Sequence, residues 1–130
     1  MQKYSGGEMV KDTKDISAAE LEIMEVLWRA DGPLSIQAVC DGIADDKWKY
    51  NTVGTMLLRL AEKGVVNSNK VNRVIQYSPI LMREEYKKEQ TSKLISQLYG
   101  GSARDLAASL IGSGDVTMED IDELKKLFNL

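Results

Sequence analysis

The chain has 130 residues, of which 43% are hydrophobic and 28% are charged, with 17 basic and 20 acidic side chains and no histidine. This composition predicts one ordinary folded domain, or a compact domain with a helical extension, and argues against a disordered chain. The longest apolar runs are too short to cross a bilayer. There is no signal segment and only one cysteine, which favours a cytoplasmic protein.

Catalytic chemistry is disfavoured because the sequence has no histidine, which is both the commonest general base and the commonest metal ligand. The single cysteine, Cys40, falls on the apolar side of a predicted helix, where packing is favoured over a nucleophilic role. Acidic pairs such as Asp45-Asp46 are typical of solvated helix ends. We therefore predict no catalytic residues, no metal ligands and no cofactor, and a protein that is not an enzyme.

Residues 1–15 show no sustained apolar period and predict a flexible N-terminal tail. Ser17 and Glu20 form a capping-box pattern before an amphipathic segment, which predicts a first helix ending near Ala30. After a break, Ser35 is placed to cap a second helix.

A third helix is predicted from about residue 51 to residue 63, with Gly64 just past its end. Two β-compatible runs follow, at 65–69 and 73–78, around a polar turn at 70–72. Three helices followed by a hairpin are the order of a winged helix. The fold class predicted is therefore mainly α with a small β-hairpin wing, as a winged helix-turn-helix domain over residues 16–80.

Three further helices are predicted beyond the wing, at 82–99, 102–111 and 117–127, and form a helical domain over residues 81–130. Their apolar stripes are too many for so small a winged domain to cover, which predicts a homodimer. The predicted dimerisation residues are Tyr86, Leu94, Ile95, Leu98, Leu106, Leu110, Ile121, Leu124 and Leu127.

Positive charge is concentrated in the middle of the chain. Residues 1–48 carry five basic and ten acidic side chains, and residues 101–130 carry three and six, whereas residues 49–78 carry five basic side chains and one acidic. A polar outer face on the third helix, followed by a basic hairpin tip, suits entry into a DNA groove. The predicted DNA-binding residues are Lys49, Asn51, Thr52, Thr55, Arg59, Lys63, Lys70, Asn72 and Arg73. A merely solvated helix, and a winged-helix module that binds protein and no DNA, stay open as alternatives.

Four ordered segments of the chain carry a resemblance to a known family: 20–28, 52–64, 77–79 and the C-terminal pair 98–102 with 120–124. They closely resemble the BlaI/MecI/CopY family of bacterial repressors, which control β-lactamase, methicillin-resistance and copper genes. The resemblance spans about residues 16–127. It implies a winged-helix repressor that occupies a palindromic promoter operator of double-stranded DNA as a homodimer.

The same resemblance implies a membrane sensor protease as a further partner, because a protease cuts the antibiotic-responsive members at an Asn-Phe bond. The corresponding pair here is Ser109-Leu110. The copper-responsive members carry a C-terminal cysteine cluster, and this sequence has no cysteine after Cys40. Gly54 and Leu58 occupy positions of the third helix where members often carry polar or basic side chains, so the operator sequence stays open.

Overall fold

A computed structural model describes residues 16–127 of the chain. Residues 1–15, for which a flexible tail is predicted, lie outside the described residues. The chain divides into two compact units, with the boundary between Lys87 and Lys88. The domain boundary predicted from the sequence, between residues 80 and 81, lies slightly earlier, at the end of the wing.

The first unit begins with three helices. They are α1 (Ala18–Arg29), α2 (Ile36–Gly42) and α3 (Tyr50–Glu62). The predicted capping box is confirmed at the start of α1: Glu20 N donates to Ser17 Oγ at 3.1 Å, and Ser17 N donates to Glu20 Oε1 at 2.9 Å. These two bonds satisfy amide groups that a helix start otherwise leaves unpaired. The predicted cap of α2 is also confirmed, since Ser35 Oγ accepts from Ala38 N at 3.1 Å.

The core of the first unit forms where the three helices meet the sheet. Four apolar residues of α3 recur at helical spacing and point into this core: Val53, Met56, Leu57 and Leu60. Cys40 and Trp48 pack against this core at its edge and are half-buried. The largest fully buried side chains of the unit are Ile23, Met24, Leu57, Leu60, Leu81, Val39, Val53 and Val65.

The wing is a three-stranded antiparallel sheet in the order β1-β3-β2. The strands are β1 (Leu34–Ser35), β2 (Val66–Val71) and β3 (Val74–Pro79). The predicted turn at residues 70–72 is wrong, because Lys70 lies in β2 and pairs with Ile75. The turn consists of Asn72 and Arg73 alone, with φ of 51° and 70°. Positive φ at both central residues is the geometry of a type I′ turn, whose twist matches that of the strands.

Three helices follow the wing: α4 (Arg83–Leu98), α5 (Ala103–Ser113) and α6 (Met118–Leu127). Ser102 caps the start of α5, since its Oγ accepts from Asp105 N at 3.1 Å. Thr117 and Asp120 cap the start of α6 reciprocally, at 3.0 and 2.9 Å, in the manner of a capping box. None of the described residues from 88 onward is buried.

Tyr86 requires a correction, because the sequence assigned it to the dimer interface. Its ring lies 5.9 Å from that of Trp28, measured between centroids, and it packs against the core of the first unit. The first turn of α4 brings the phenol onto α1, so the ring is half-buried within a single chain. Burial raises the pKa of the Tyr86 hydroxyl.

Two glycines of the first unit lie at helix contacts with different amounts of space. A Cβ added at Gly42 would lie 2.6 Å from Val26 Cγ1, closer than carbon atoms approach. A Cβ at Gly54 would lie 3.4 Å from Ile36 Cδ1, an ordinary van der Waals contact. Close approach of α1 and α2 therefore requires Gly42, whereas α3 does not require Gly54.

These distances predict opposite effects of two matched substitutions. Gly42→Ala should lower the free energy of unfolding by about 1–3 kcal/mol, because the stiff, buried Val26 must move. Gly54→Ala should raise it by about 0.5–1 kcal/mol, because alanine has the higher helix propensity. Urea denaturation followed by tryptophan fluorescence measures both, since Trp28 and Trp48 lie in the first unit. The double substitution Val26→Ala and Gly42→Ala is the control: strictly additive losses would rule out the proposed clash.

Candidate nucleic-acid interface

The outer face of α3 carries four of the predicted DNA-binding residues: Asn51, Thr52, Thr55 and Arg59. All four side chains are exposed. Thr55 Oγ1 donates to the backbone oxygen of Asn51 at 2.9 Å, one turn earlier in the helix. This bond uses the only hydroxyl hydrogen, so the oxygen is left to accept hydrogen bonds from a ligand. Asparagine and threonine at the first turns of a helix are suited to base edges and phosphates.

The same four residues line one side of a surface groove of about 440 Å³. Ala19, Trp48 and Met56 complete its lining. Trp48 packs at the edge of the core and also lies in this groove. Lys47 Nζ lies 5.0 Å from the centroid of the indole ring, a cation–π arrangement.

The start of α3 differs from the starts of α1, α2 and α5, which serines cap. Its N-cap residue is Lys49, whose side chain makes no cap hydrogen bond, and no acidic residue lies in its first turn. Amide groups at a helix start carry partial positive charge. Together with the exposed Lys49 ammonium, they make this end of α3 attractive to an anion such as a phosphate.

The wing carries three predicted DNA-binding residues, Lys70, Asn72 and Arg73, all of them exposed. Arg73 and Tyr50 line a common cleft of about 370 Å³. The fold thus brings the wing tip and the start of α3 together, although 22 residues separate these positions along the chain. Sequence reasoning missed Tyr50 and Gln37 as members of this surface, because their position beside the wing depends on how the hairpin packs. The rest of the cleft is lined by Ser35, Ile36, Gln37, Val74 and Ile75.

Arg73 occupies a backbone conformation that favours glycine, since its φ is 70°. A residue with a Cβ is strained in this region by about 1–2 kcal/mol, and asparagine, as at position 72, tolerates it best. Strained residues cluster at functional sites. An arginine held at the wing tip despite this strain therefore supports a role for its charge.

Lys63 requires a second correction, because the sequence counted it among the DNA-binding residues. Its Nζ lies 2.6 Å from Oε1 of Glu20, whose side chain is only 5% exposed. The ion pair joins the start of α1 to the residue that follows α3, and Lys63 is half-buried. A cation neutralised in this way adds little to phosphate attraction, so the structure gives Lys63 a stabilising role instead.

The ionisation of Glu20 follows from this arrangement. Burial alone raises the pKa of its carboxyl group, but hydrogen bonds from Lys63 and Ser17, together with the charge of Lys63, outweigh burial and lower it. A buried carboxylate is tolerated when it is paired and hydrogen-bonded in this way.

Cys40 is half-buried, and burial followed by the charge of Asp41 raises its pKa. The thiolate, which is the nucleophilic form, is therefore disfavoured. Across residues 16–127, no His, Cys, Asp and Glu side chains cluster in a way that fits a metal ion. The helices of the same part of the chain include none that is long and apolar enough to span a membrane.

Gly54 and Leu58, the two departures from the family pattern on α3, lie in different surroundings. Gly54 is half-buried and faces Ile36 of α2, so it packs helices and leaves the outer face unchanged. Leu58 is 55% exposed and lies on the outer face, one turn beyond Thr55. Only Leu58 changes the chemistry that α3 offers to a ligand.

The family model described as "Penicillinase repressor" matches residues 16–129. This chain belongs to the penicillinase repressor family. The penicillinase repressor of Bacillus licheniformis is 28% identical over 118 residues, covering 91% of this chain and 92% of that protein. The methicillin resistance regulatory protein MecI of Staphylococcus aureus (strain N315) is 25% identical over 121 residues, covering 93% and 98%.

The fold of the first unit also has a solved counterpart. The solution structure of the DNA-binding domain of the repressor BlaI is similar with a TM-score of 0.51 and 36% identity. It covers 59% of this chain and 94% of that domain. The winged-helix fold class is thereby confirmed. The family consists of repressors, so the expectation that the protein is not an enzyme is confirmed as well.

The Glu20–Lys63 pair predicts a pH-dependent stability. Because the pKa of Glu20 is lowered on folding, the pair stabilises the protein above the ordinary value of 4.5 and loses its effect as pH falls through the lowered pKa. Lys63→Met should cost about 1–3 kcal/mol at neutral pH. The difference from the unsubstituted protein should shrink in acid, as measured by urea denaturation between pH 7 and pH 3.

Lys47→Met is the matched control for this experiment. Lys47 pairs with Glu22 at 3.0 Å, but both side chains are about half exposed, so its loss should cost less than about 1 kcal/mol. Equal losses for the two lysines, or a loss at Lys63 that does not depend on pH, would contradict the role assigned to the buried pair.

Proposed function

We propose that this chain represses transcription as a homodimer that occupies a palindromic promoter operator, with α3 in the major groove and the wing against the backbone or minor groove. Membership of the penicillinase repressor family makes the chain a DNA-binding transcriptional repressor. The observation that supports this docking is the cleft in which Arg73 of the wing meets the start of α3.

Each exposed residue of this surface has a role that its chemistry suits. Asn51 can form a bidentate pair with adenine, and Thr52 can donate to a phosphate or a base edge. Thr55, whose hydroxyl hydrogen is already engaged, can accept from a donor on a base edge. Lys49 and Arg59 supply charge for phosphates at the rims of the groove. In the wing, the residues that would follow the DNA backbone are Lys70, Asn72 and Arg73.

The apolar stripes of the second unit support the homodimer. Leu98 is 70% exposed and Leu127 is 74% exposed in the single chain, an amount of exposed leucine that favours association. A symmetric dimer would cover them and place two copies of α3 in successive major grooves, about 34 Å apart. The proposed interface residues are Leu94, Ile95, Leu98, Leu106, Leu110, Ile121, Leu124 and Leu127, to which Ile111 and Met118, also exposed, can be added.

A membrane sensor protease is a further partner that the family resemblance implies. The bond between Ser109 and Leu110 lies inside α5, and Ser109 Oγ is 3.3 Å from the Tyr99 hydroxyl. Proteases bind extended chains, so a cut here requires α5 to unwind first. We propose that induction by cleavage would depend on that unwinding.

The rival function is a winged-helix module that binds protein and no DNA. The net charge of −3 was its main support. The penicillinase repressor and MecI relatives are repressors, and the acidic residues lie mostly outside the segment that forms the wing and α3. An operator-binding repressor acts where the chromosome is, so we also propose a cytoplasmic location.

Arg73→Gly is the variant that tests DNA docking, because it should have opposite effects on stability and on binding. Glycine relieves the positive φ of the turn, so the free energy of unfolding should rise by about 1 kcal/mol. Removal of the charge should weaken binding to all duplex sequences and lower the slope of log affinity against log salt by about one. Urea denaturation and salt-dependent fluorescence anisotropy measure the two effects.

Lys125→Gln provides the control for this pair of measurements. Lys125 is an exposed lysine in the last turn of α6, outside the proposed interface with DNA. Its loss should leave the salt slope unchanged. A slope that falls for Lys125 and not for Arg73 would refute the proposed docking, and the absence of duplex binding at low salt would favour the rival module.

The homodimer predicts that polar substitution of an exposed leucine in the second unit prevents association. Leu98→Glu should give a monomer at tens of micromolar by sedimentation equilibrium, because the dimer would bury a charge. Leu58→Glu is the matched control: Leu58 is also an exposed helical leucine, but it lies on α3, so the dimer should persist. A monomeric unsubstituted protein would disprove the homodimer.

A further inference from the structure

Trp28, on the last turn of α1, joins the end of the wing to the rest of the first unit. Its indole Nε1 donates to the backbone oxygen of Leu81 at 2.8 Å. Leu81 is completely buried, in the short connection between β3 and α4. This hydrogen bond therefore holds the connection at its centre.

The first turn of α4 is held against the same tryptophan. Arg83 Cζ lies 5.5 Å from the centroid of the Trp28 ring, and the guanidinium forms an ion pair of 2.6 Å with Glu25 Oε1. Tyr86, three residues further along α4, places its ring 5.9 Å from the Trp28 ring. Two residues of α4 thus lie against one indole, and Glu25 of α1 pairs with the first of them.

The connection between β3 and α4 is also bonded on its other side. The backbone oxygen of Val65 accepts from Ile80 N at 2.8 Å and from Leu81 N at 3.1 Å. Met82 N donates to Glu85 Oε1 at 3.0 Å, which caps the start of α4. Every residue from Ile80 to Met82 therefore has its amide group engaged in a hydrogen bond, which restrains the connection between the wing and α4.

Five residues, Trp28, Glu25, Leu81, Arg83 and Tyr86, together form a clamp that holds the first turn of α4 against the first unit, which carries the DNA-binding surface. We propose that Trp28 is for this reason a positioning residue for operator recognition. The clamp thereby narrows the range of half-site spacings that a dimer accepts. This inference rests on the proposed homodimer and its palindromic operator.

The physical reason is the effective concentration of the second DNA-binding unit. When one unit of a dimer has bound its half-site, the other searches a volume set by the stiffness of its attachment. A flexible connection spreads that search over several spacings, whereas a fixed one concentrates it at a single spacing. Loosening the clamp should therefore weaken binding at the preferred spacing and reduce the penalty at other spacings.

The experiment uses the full-length protein and a palindromic duplex selected by it from random sequences. Affinity is measured for this duplex, for versions with one or two base pairs inserted at the centre, and for a duplex with a single half-site. The unsubstituted protein should lose about tenfold or more on insertion. Trp28→Phe should bind the single half-site within about twofold of the unsubstituted protein but lose about threefold or less on insertion.

Arg83→Gln is the second variant. It removes the ion pair with Glu25 and the cation–π contact with Trp28 at a partly exposed position, and it replaces Trp28→Phe in the test if that variant does not fold. Glu22→Gln is the matched control on α1, because its partner Lys47 lies outside the clamp. It should keep the steep dependence on spacing.

The outcomes separate this inference from the function on which it rests. If the unsubstituted protein binds the palindrome no better than the single half-site, the proposed dimeric operator fails, and the inference with it. If the unsubstituted protein shows a steep dependence on spacing and both clamp variants keep it, only the role of Trp28 is overturned.

Discussion

Burial of one face of α3 is the constraint on which the rest of the first unit depends. Val53, Met56, Leu57 and Leu60 all lie inside the core, at helical spacing. α1 and α2 must approach closely enough to cover them, which the missing side chain of Gly42 permits. Because the core takes one face, polar side chains are left on the other, and they form a groove at the surface. The recognition surface is a consequence of how the helix is buried.

The local charge of the proposed DNA-binding surface is opposite in sign to the net charge of the protein. The chain is net acidic, yet Lys49 lies at the start of α3 and Arg73 lies at the wing tip. The first turn of α3 and the strand β3, which follow these two residues, contain no acidic side chain. The opposite arrangement occurs at the far end of α3, where Glu20 neutralises Lys63. Attraction for an anion is thus stronger at the start of the helix, where its free amide groups lie, than at its end, which orients the surface as well as attracting a ligand.

The sequence predicts well what depends on near neighbours. The capping serines, the inner face of α3 and the order of helices and strands follow from residues within a few positions of one another. It fails where distant residues decide: Lys63 meets a carboxylate 43 positions away, and the clamp on Trp28 bridges 53 positions. Arg73 was missed as a turn residue for a different reason, because local preference assigns glycine to its backbone conformation.

The hairpin of the wing is buried at its root and exposed at its tip. At its root, Val65 accepts hydrogen bonds from the residues that follow β3, and Tyr77 is buried in the core. At its tip, Val71, Val74 and Ile75 are all exposed. Extra residues at the tip would therefore lengthen the wing without changing the packing beneath it. Over evolutionary time, such a hairpin can gain or lose pairs of residues, and so change its reach along a duplex, while the folded body of the protein stays the same.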